Sequence, residues 1–362
     1  MQVVGIVPDG LDGTNLHLGH DYLLTDSNQL VSTNSAHSHS PSPPGGGSPG
    51  GSPGGGSHGG PHSPPPPPPS TGSPASTLVG SSSGLEINLI WDSSVTKSAN
   101  WSAIEAAVVA AAQLYTQDYS NHVVLNIAVG LGEIGGSSMS SSALGESESI
   151  RYIANYSTVQ GALNTADAGL VADGLLSSGA ISANSPPTNA NFFVTSAEAK
   201  ALGLVGSSTA IDGYIGISAS SSVYFAANGG TIGTTQYDAV GIATHEISEV
   251  MGRIGLVGTS LGPYSNVYTP LDLFRYTSSG VRDLTPTAGY FSTNGGVSNL
   301  STYNNPNNGG DATDWASSVV NDAYDAFGTP GVITTVSSTD ILENAVLGYN
   351  LTAGTLPPTV SA

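Results

Sequence analysis

The chain contains no cysteine, which removes disulfides, thiolate zinc sites, iron–sulfur clusters and a cysteine nucleophile together. Basic side chains are nearly as scarce. Six Lys+Arg stand against 26 Asp+Glu in 362 residues, a formal charge of −20, so nucleic acid is a poor partner. No uncharged apolar run reaches the roughly 18 residues of a membrane-spanning helix. A cleavable leader is not evident either: MQVVGIVPDGLDG has no Lys or Arg ahead of its short apolar stretch and soon meets Asp9 and Asp12. What the chain has in quantity is Gly (48) and Pro (23), with many Ser, Thr and Asn. With little Lys and no Cys, this suits an exported, extracellular bacterial protein whose export uses another route or a missing upstream segment.

Most of the Gly and Pro lies before residue 85 and divides the chain. Residues 1–35 hold enough apolar residues for a hairpin or two and form a short N-terminal segment of unknown role. Residues 36–83, AHSHSPSPPGGGSPGG onward, mix flexible Gly/Ser with a stiff run of prolines, Pro64 to Pro69, and read as a disordered linker. His37, His39, His58 and His62 fall inside it as parts of a solvated spacer. The globular region is expected over 84–353, followed by a tail at 354–362. LEINLIW at 85–91 alternates as a strand, 100–119 has helical apolar spacing, and HVVLNIAVGLGEI at 122–134 returns as a strand. This βαβ unit calls for a right-handed crossover and a partly parallel sheet. The Ser-rich stretch 135–158 reads as an irregular loop and 159–176 as weakly helical. Residues 192–204 read as a strand entering a helix, 213–219 and 222–227 as strands, and 336–349 as a capped amphipathic helix.

The chemistry is concentrated in TTQYDAVGIATHEISEVMGRIG. Thr235 with Asp238 three residues later resembles a capping box, and Gly252 or Gly255 offers the stop. On a helical wheel Val240, Ala243, Ile247, Val250, Met251 and Ile254 form an apolar stripe, while Asp238, His245 and Glu249 gather opposite. The run His245-Glu246-x-x-Glu249 is HExxE. Residues i and i+4 share a helix face with β-carbons about 6 Å apart, so His245 and Glu249 can grip one ion while Glu246, turned about 100°, reaches a water on it. An ordinary solvated face is the competing reading. Against it, no Lys or Arg precedes Arg253 to neutralise the acids.

HEISEVMGRIG resembles the active-site helix of the metzincin-type zinc metalloproteases, HExxHxxGxxH or HExxHxxGxxD; His245, Glu246 and Gly252 match in register. It looks closer still to a group of exported bacterial metalloprotease-like proteins that share a TPLDLFRY-like stretch (269–276), a GDATDWASS-like loop (310–318) and a last helix ending LGY (347–349). The resemblance covers about 84–350. It implies an α/β (α+β) metzincin-like fold, a twisted mixed sheet with a central active-site helix, and a zinc-dependent endopeptidase acting on peptides or proteins. The metal would acidify a bound water whose proton Glu246 accepts. Glu249 stands where the second histidine should be, Gly255 where the third ligand should be, and neither Met139 nor Met251 follows the helix to make a Met-turn.

Since only His122 and His245 lie in the globular region, a complete site needs carboxylates. Asp272, on an alternating apolar stretch, is the expected third ligand beside His245 and Glu249, with pairing to Arg253, Arg275 or Arg282 as its alternative. Such a hard, anionic donor set could favour a divalent ion other than zinc. Tyr264 and Tyr268 could steady an oxyanion, or simply pack. Asp311, Asp314, Asp322 and Asp325 could wrap Ca²⁺, though a plain Asx-rich turn is preferred. The Ser-rich run 137–142 lacks a GxSxG context. The rival readings are an inactive metzincin-like surface or adhesion module, and glycoside hydrolysis by Glu246 and Glu249. The expectation is a monomeric metallopeptidase with Glu246 catalytic and His245, Glu249 and Asp272 as ligands.

Overall fold

The computed structural model describes residues 2–9, 21–24, 30–33 and 75–355, apart from 182–185, 187–188, 228–229, 262–263, 286, 288 and 309. Residues 36–74 of the expected linker and most of the expected tail lie outside the described residues.

Three strands, β1 (Gln2–Asp9), β2 (Asp21–Leu24) and β3 (Leu30–Thr33), open the chain. Next, β4 (Ser76–Gly80) pairs antiparallel with β5 (Glu86–Trp91), so ordered structure begins inside the stretch expected to be linker. A short α1 (Ser93–Thr96) and the long α2 (Trp101–Asp118) lead to β6 (Val124–Leu131), which runs parallel to β5 as the βαβ reading requires. After the small hairpin β7 (Glu133–Ile134) and β8 (Ser137–Ser138) comes β9 (Gly145–Asn155). Helices α3 (Tyr156–Ala166) and α4 (Ala168–Ala172), strand β10 (Asn191–Thr195), helix α5 (Ser196–Ala201) and strand β11 (Gly213–Ile217) follow. The two-residue strands β12 (Val223–Tyr224) and β13 (Tyr237–Asp238) pair with each other and deliver the chain to α6 (Ala239–Met251). Beyond it lie β14 (Thr259–Leu261), β15 (Tyr264–Tyr268), a second sheet built on β16 (Arg275–Ser278), and α7 (Ser338–Ala345).

The main sheet is mixed, with eleven strands in the order β14-β15-β10-β9-β11-β6-β5-β4 and β1 to β3 added through β1 against β9. Together with seven α-helices among the described residues, this makes a mixed α/β fold. Its core is continuous from Ile87, Leu89, Ile127 and Val129 on the strands through Ala111 and Tyr115 of α2 to Ala243, Ile247 and Val250 of α6.

Two expectations about local structure fail for identifiable reasons. Residues 145–155 are a long strand rather than loop, pairing antiparallel with β11 along one half and with β10 along the other. Its buried positions include Gly145, Ser147 and Ser149, small residues that face α6: Ser147 Oγ donates to Glu249 Oε2 at 2.7 Å and Ser149 Oγ to the Glu249 carbonyl at 3.4 Å. A strand that serves a polar helix carries no alternating apolar signal. The segment Pro270–Phe274 is a 3-10 helix instead of a strand. Proline in its first turn and a reciprocal Thr269/Asp272 capping box are helix-start signals that outrank the alternation of Leu271 and Leu273.

Helix α6 sits between α2 and strands β9 and β11, and every residue from Ala239 to Met251 except Val240 is buried. The solvated-face reading therefore fails. Its cap is also displaced: the Asp238 carboxylate accepts from Val240 N at 3.2 Å and occupies the N-cap itself, leaving Thr235 outside. Gly252 closes the helix at φ 124°, a backbone region that glycine enters without a Cβ penalty.

Candidate metal centre

Helix periodicity stacks His245 and Glu249 on one face, and the helix's burial removes both from water. His245 Nε2 lies 3.1 Å from Glu249 Oε1 and 3.3 Å from Asp314 Oδ1. These three residues are the one group of metal-ligating side chains, among the described residues, whose donor atoms all fall within 4.8 Å of one another. Ligand atoms at about 2.0–2.1 Å from a tetrahedral ion are about 3.3 Å apart, so the His245 contacts have the spacing of a coordination sphere. They equally have the spacing of charge-assisted hydrogen bonds. The other imidazole nitrogen, Nδ1, lies 2.9 Å from the Ala323 carbonyl. Such a contact fixes ring orientation and tautomer in metal-bound histidines.

Asp314 reaches the helix because the loop that carries it, 310–318, is pinned by aromatic packing. Trp315 stacks on Tyr303 with centroids 5.1 Å apart and donates from Nε1 to Asp340 Oδ1 at 2.7 Å. Asp340 is held in turn by the α7 capping box. Tyr324 lies edge-on to His245, and its hydroxyl meets those of Tyr115 at 3.0 Å and the Asn344 amide at 2.5 Å.

Arg253 balances this centre. NH1 donates to Asp314 Oδ1 at 2.6 Å and NH2 to Glu249 Oε1 at 3.3 Å, the same two oxygens that face His245. Nε donates to Ser248 Oγ at 2.7 Å, and the guanidinium lies 4.4 Å over the Tyr324 ring. Burial and the neighbouring Arg253 push the His245 pKa down, but Asp314 and Glu249 outweigh them and hold the imidazole protonated. Burial pushes the Asp314 carboxyl up, but His245 and Arg253 outweigh that and keep it below the usual carboxylate range. Asp311, half-buried, is pushed well up by desolvation and by the charges of Asp314 and Glu249.

The structure does not bring Asp272 to this centre. Its Oδ2 accepts from Leu256 N at 3.1 Å, Val257 N at 2.9 Å and Thr269 N at 2.8 Å. It is a cap that gathers the chain after α6, and none of the expected arginine pairings forms; Arg275 pairs with Asp283 at 3.1 Å instead. The acid that stands beside His245 and Glu249 is Asp314, considered from sequence only as a calcium or turn residue. Glu246 is fully buried with its carboxylate against Gly145, where a Cβ would collide with it. Tyr268 and Tyr264 pack on Phe192 and Phe193, and His122 is exposed.

One imidazole and two carboxylates, held on a helix and a pinned loop, match a divalent ion in number and kind once the imidazole sheds its proton and Arg253 leaves the two oxygens that it bonds. The chain matches none of the protein-family models, curated proteins or solved structures it was compared with, so function has to be argued from these side chains.

Proposed function

We propose that the chain is a metal-dependent peptidase whose divalent cation is held by His245, Glu249 and Asp314, with Glu246 as the general base. The single observation that carries the reading is the approach of His245 Nε2 to Glu249 Oε1 and Asp314 Oδ1 within a buried, Nδ1-oriented constellation. A cation there would supply Lewis acidity and acidify water. As general base, Glu246, one residue beyond His245 and with its carboxylate now against Gly145, would take the water's proton and return it to the departing amine. Ala323 and Ser147 orient the ligands from outside. Because His245, Glu246, Glu249 and Asp314 are all buried, a peptide enters only when the 311–325 loop parts from α6.

The test is binding and turnover together. Metal-stripped full-length chain should take up one equivalent of Zn²⁺ or Mn²⁺, and His245→Ala should abolish it. Glu246→Gln should keep the ion but reduce cleavage of a denatured protein substrate by about 10²-fold or more. Lack of saturable uptake by the wild-type chain would sink the proposal.

One observation favours a second reading. Arg253 already bonds both candidate carboxylates, so the group can stand as a self-neutralised ionic core in an inactive module. In that case Zn²⁺ and Mn²⁺ leave the melting temperature unchanged.

A further inference from the structure

Strand β9 is paired on both edges, and one of the two is filled by the chain's own N-terminal strand. Ser149 pairs at once with Gly213 of β11 and Val7 of β1, and Arg151 pairs at once with Thr195 of β10 and Gly5 of β1. A strand has only two edges, so β10 and β11 lie end to end along one of them and β1 alone covers the other. Without β1, residues 147–153 would present a row of unpaired N–H and C=O groups, with no proline among them to discourage another strand.

The resident occupant is a weak one. Gly5 loosens β1, Pro8 has no N–H to give, and the register slips between Val3 and Gly5. Among the described residues, β1 to β3 form a meander whose one strand pairing with the rest of the chain is that of β1 on β9. The 41 residues 34–74 separate this meander from the stretch that enters β4. Fully extended, such a tether covers about 140 Å, several times the radius of gyration of roughly 20 Å for a compact domain of this size. It can reach a neighbour. We propose that the outer edge of β9 is an exchange site for a second copy of this chain, two copies trading N-terminal meanders so that each β1 lies on the other's β9. Such swapping needs no new surface, because every contact of the exchanged strand is the same in both forms. Only the tether distinguishes them. It holds the resident β1 at an effective concentration of about millimolar or less, so the exchanged dimer overtakes the monomer as the chain approaches that concentration. The bond from Ser147 to Glu249 stays within one chain whichever copy supplies β1, and the exchange is independent of the His245 centre.

Because the chain has no cysteine, engineered disulfides read this pairing directly. Ile6 and Ile150 are opposed in register, close enough to bridge. At micromolar concentration, oxidised Ile6→Cys/Ile150→Cys should cross-link within one chain and remain monomeric in light scattering. Single Ile6→Cys and Ile150→Cys chains, mixed and oxidised in a glutathione buffer, should give a covalent dimer whose peptide map joins positions 6 and 150. Its yield should rise about in proportion to concentration below a millimolar. Ile6→Cys mixed with Lys97→Cys, an exposed position away from β9, measures random encounter and should yield at least tenfold less. Far-UV circular dichroism checks the fold of each variant; if the first pair does not fold, Val3→Cys and Tyr152→Cys, also opposed, take its place. Mixed single variants that cross-link no more than the Lys97→Cys control overturn the proposal. So does a double variant that forms no disulfide, because β1 then does not lie on β9.

Discussion

Replacing Arg253 by Gln separates a metal site from a self-contained ionic core. The change deletes the NH1 bond to Asp314, the NH2 bond to Glu249 and the stacking on Tyr324, all fully buried. Removing one partner of a buried ionic group leaves uncompensated charge and costs about 3–5 kcal/mol. In a domain of this size each kcal/mol shifts Tm by about 2–4 °C, so metal-free Arg253→Gln should melt about 6–20 °C below wild type. A divalent ion then has the two carboxylates to itself. At 100 times its Kd it restores about 2.7 kcal/mol, half or more of the loss. The assay is differential scanning calorimetry of both proteins with and without Zn²⁺ or Mn²⁺, and the expected result is a larger metal-induced rise in the variant. If the variant falls in Tm but gains no more from metal than wild type does, the carboxylates serve the arginine alone. If it does not fall, the ion pairs carry no weight and the geometric argument collapses.

Asp272→Asn should destabilise the chain by about 1–3 kcal/mol, since one oxygen accepts three backbone N–H groups. It should leave divalent-ion affinity unchanged, as isothermal titration would show; loss of binding would return Asp272 to the ligand set. Asp167 is buried with both carboxyl oxygens lacking hydrogen bonds, and burial pushes its pKa up to about 8. The folded state thus keeps a proton that the unfolded state releases near pH 4. Stability falls as pH rises through the window from about 4 to 8, at about 1.4 kcal/mol per unit for this group. Urea melts from pH 5 to 8 should show that slope, and Asp167→Asn should flatten it by about one proton; an unchanged slope would show that Asp167 is ionised in the fold.

The βαβ opening, α2, α6 and α7 were legible because each carries an apolar repeat against a well-marked start or stop. The polar elements were not. Strand β9 hides its regularity because its helix-facing positions are Gly145, Ser147 and Ser149, shaped to admit carboxylates. His245, Glu246 and Glu249 were legible as a group since one helix turn holds them. Asp314 was not, because a contact 69 residues from His245 leaves no periodic trace. Its signal was indirect: an arginine four residues beyond Glu249, on a helix with no surface of its own, needs acids from elsewhere.

The scarcity of basic residues looks different from inside the fold. Of the six, Arg151, Lys200, Arg253, Arg275 and Arg282 are buried, and Lys97 is the exception. Lys200 joins α5 to the approach of β11 through Asp212 at 2.6 Å, with Ser196 bonding the same carboxylate. Arg275 stacks on Tyr303, bonds the Ala312 carbonyl and pairs with Asp283. Arg282 donates to the Ala180 carbonyl at 2.8 Å. Arginine and lysine are thus spent on tying distant segments together, which leaves the surface charge almost wholly negative. Such a surface repels polyanions and concentrates small cations. Around His245 the charges already close, because Arg253 and the imidazole face Glu249 and Asp314; a divalent ion taken from that cation-rich layer gains the two carboxylates only by displacing the arginine and the imidazole proton.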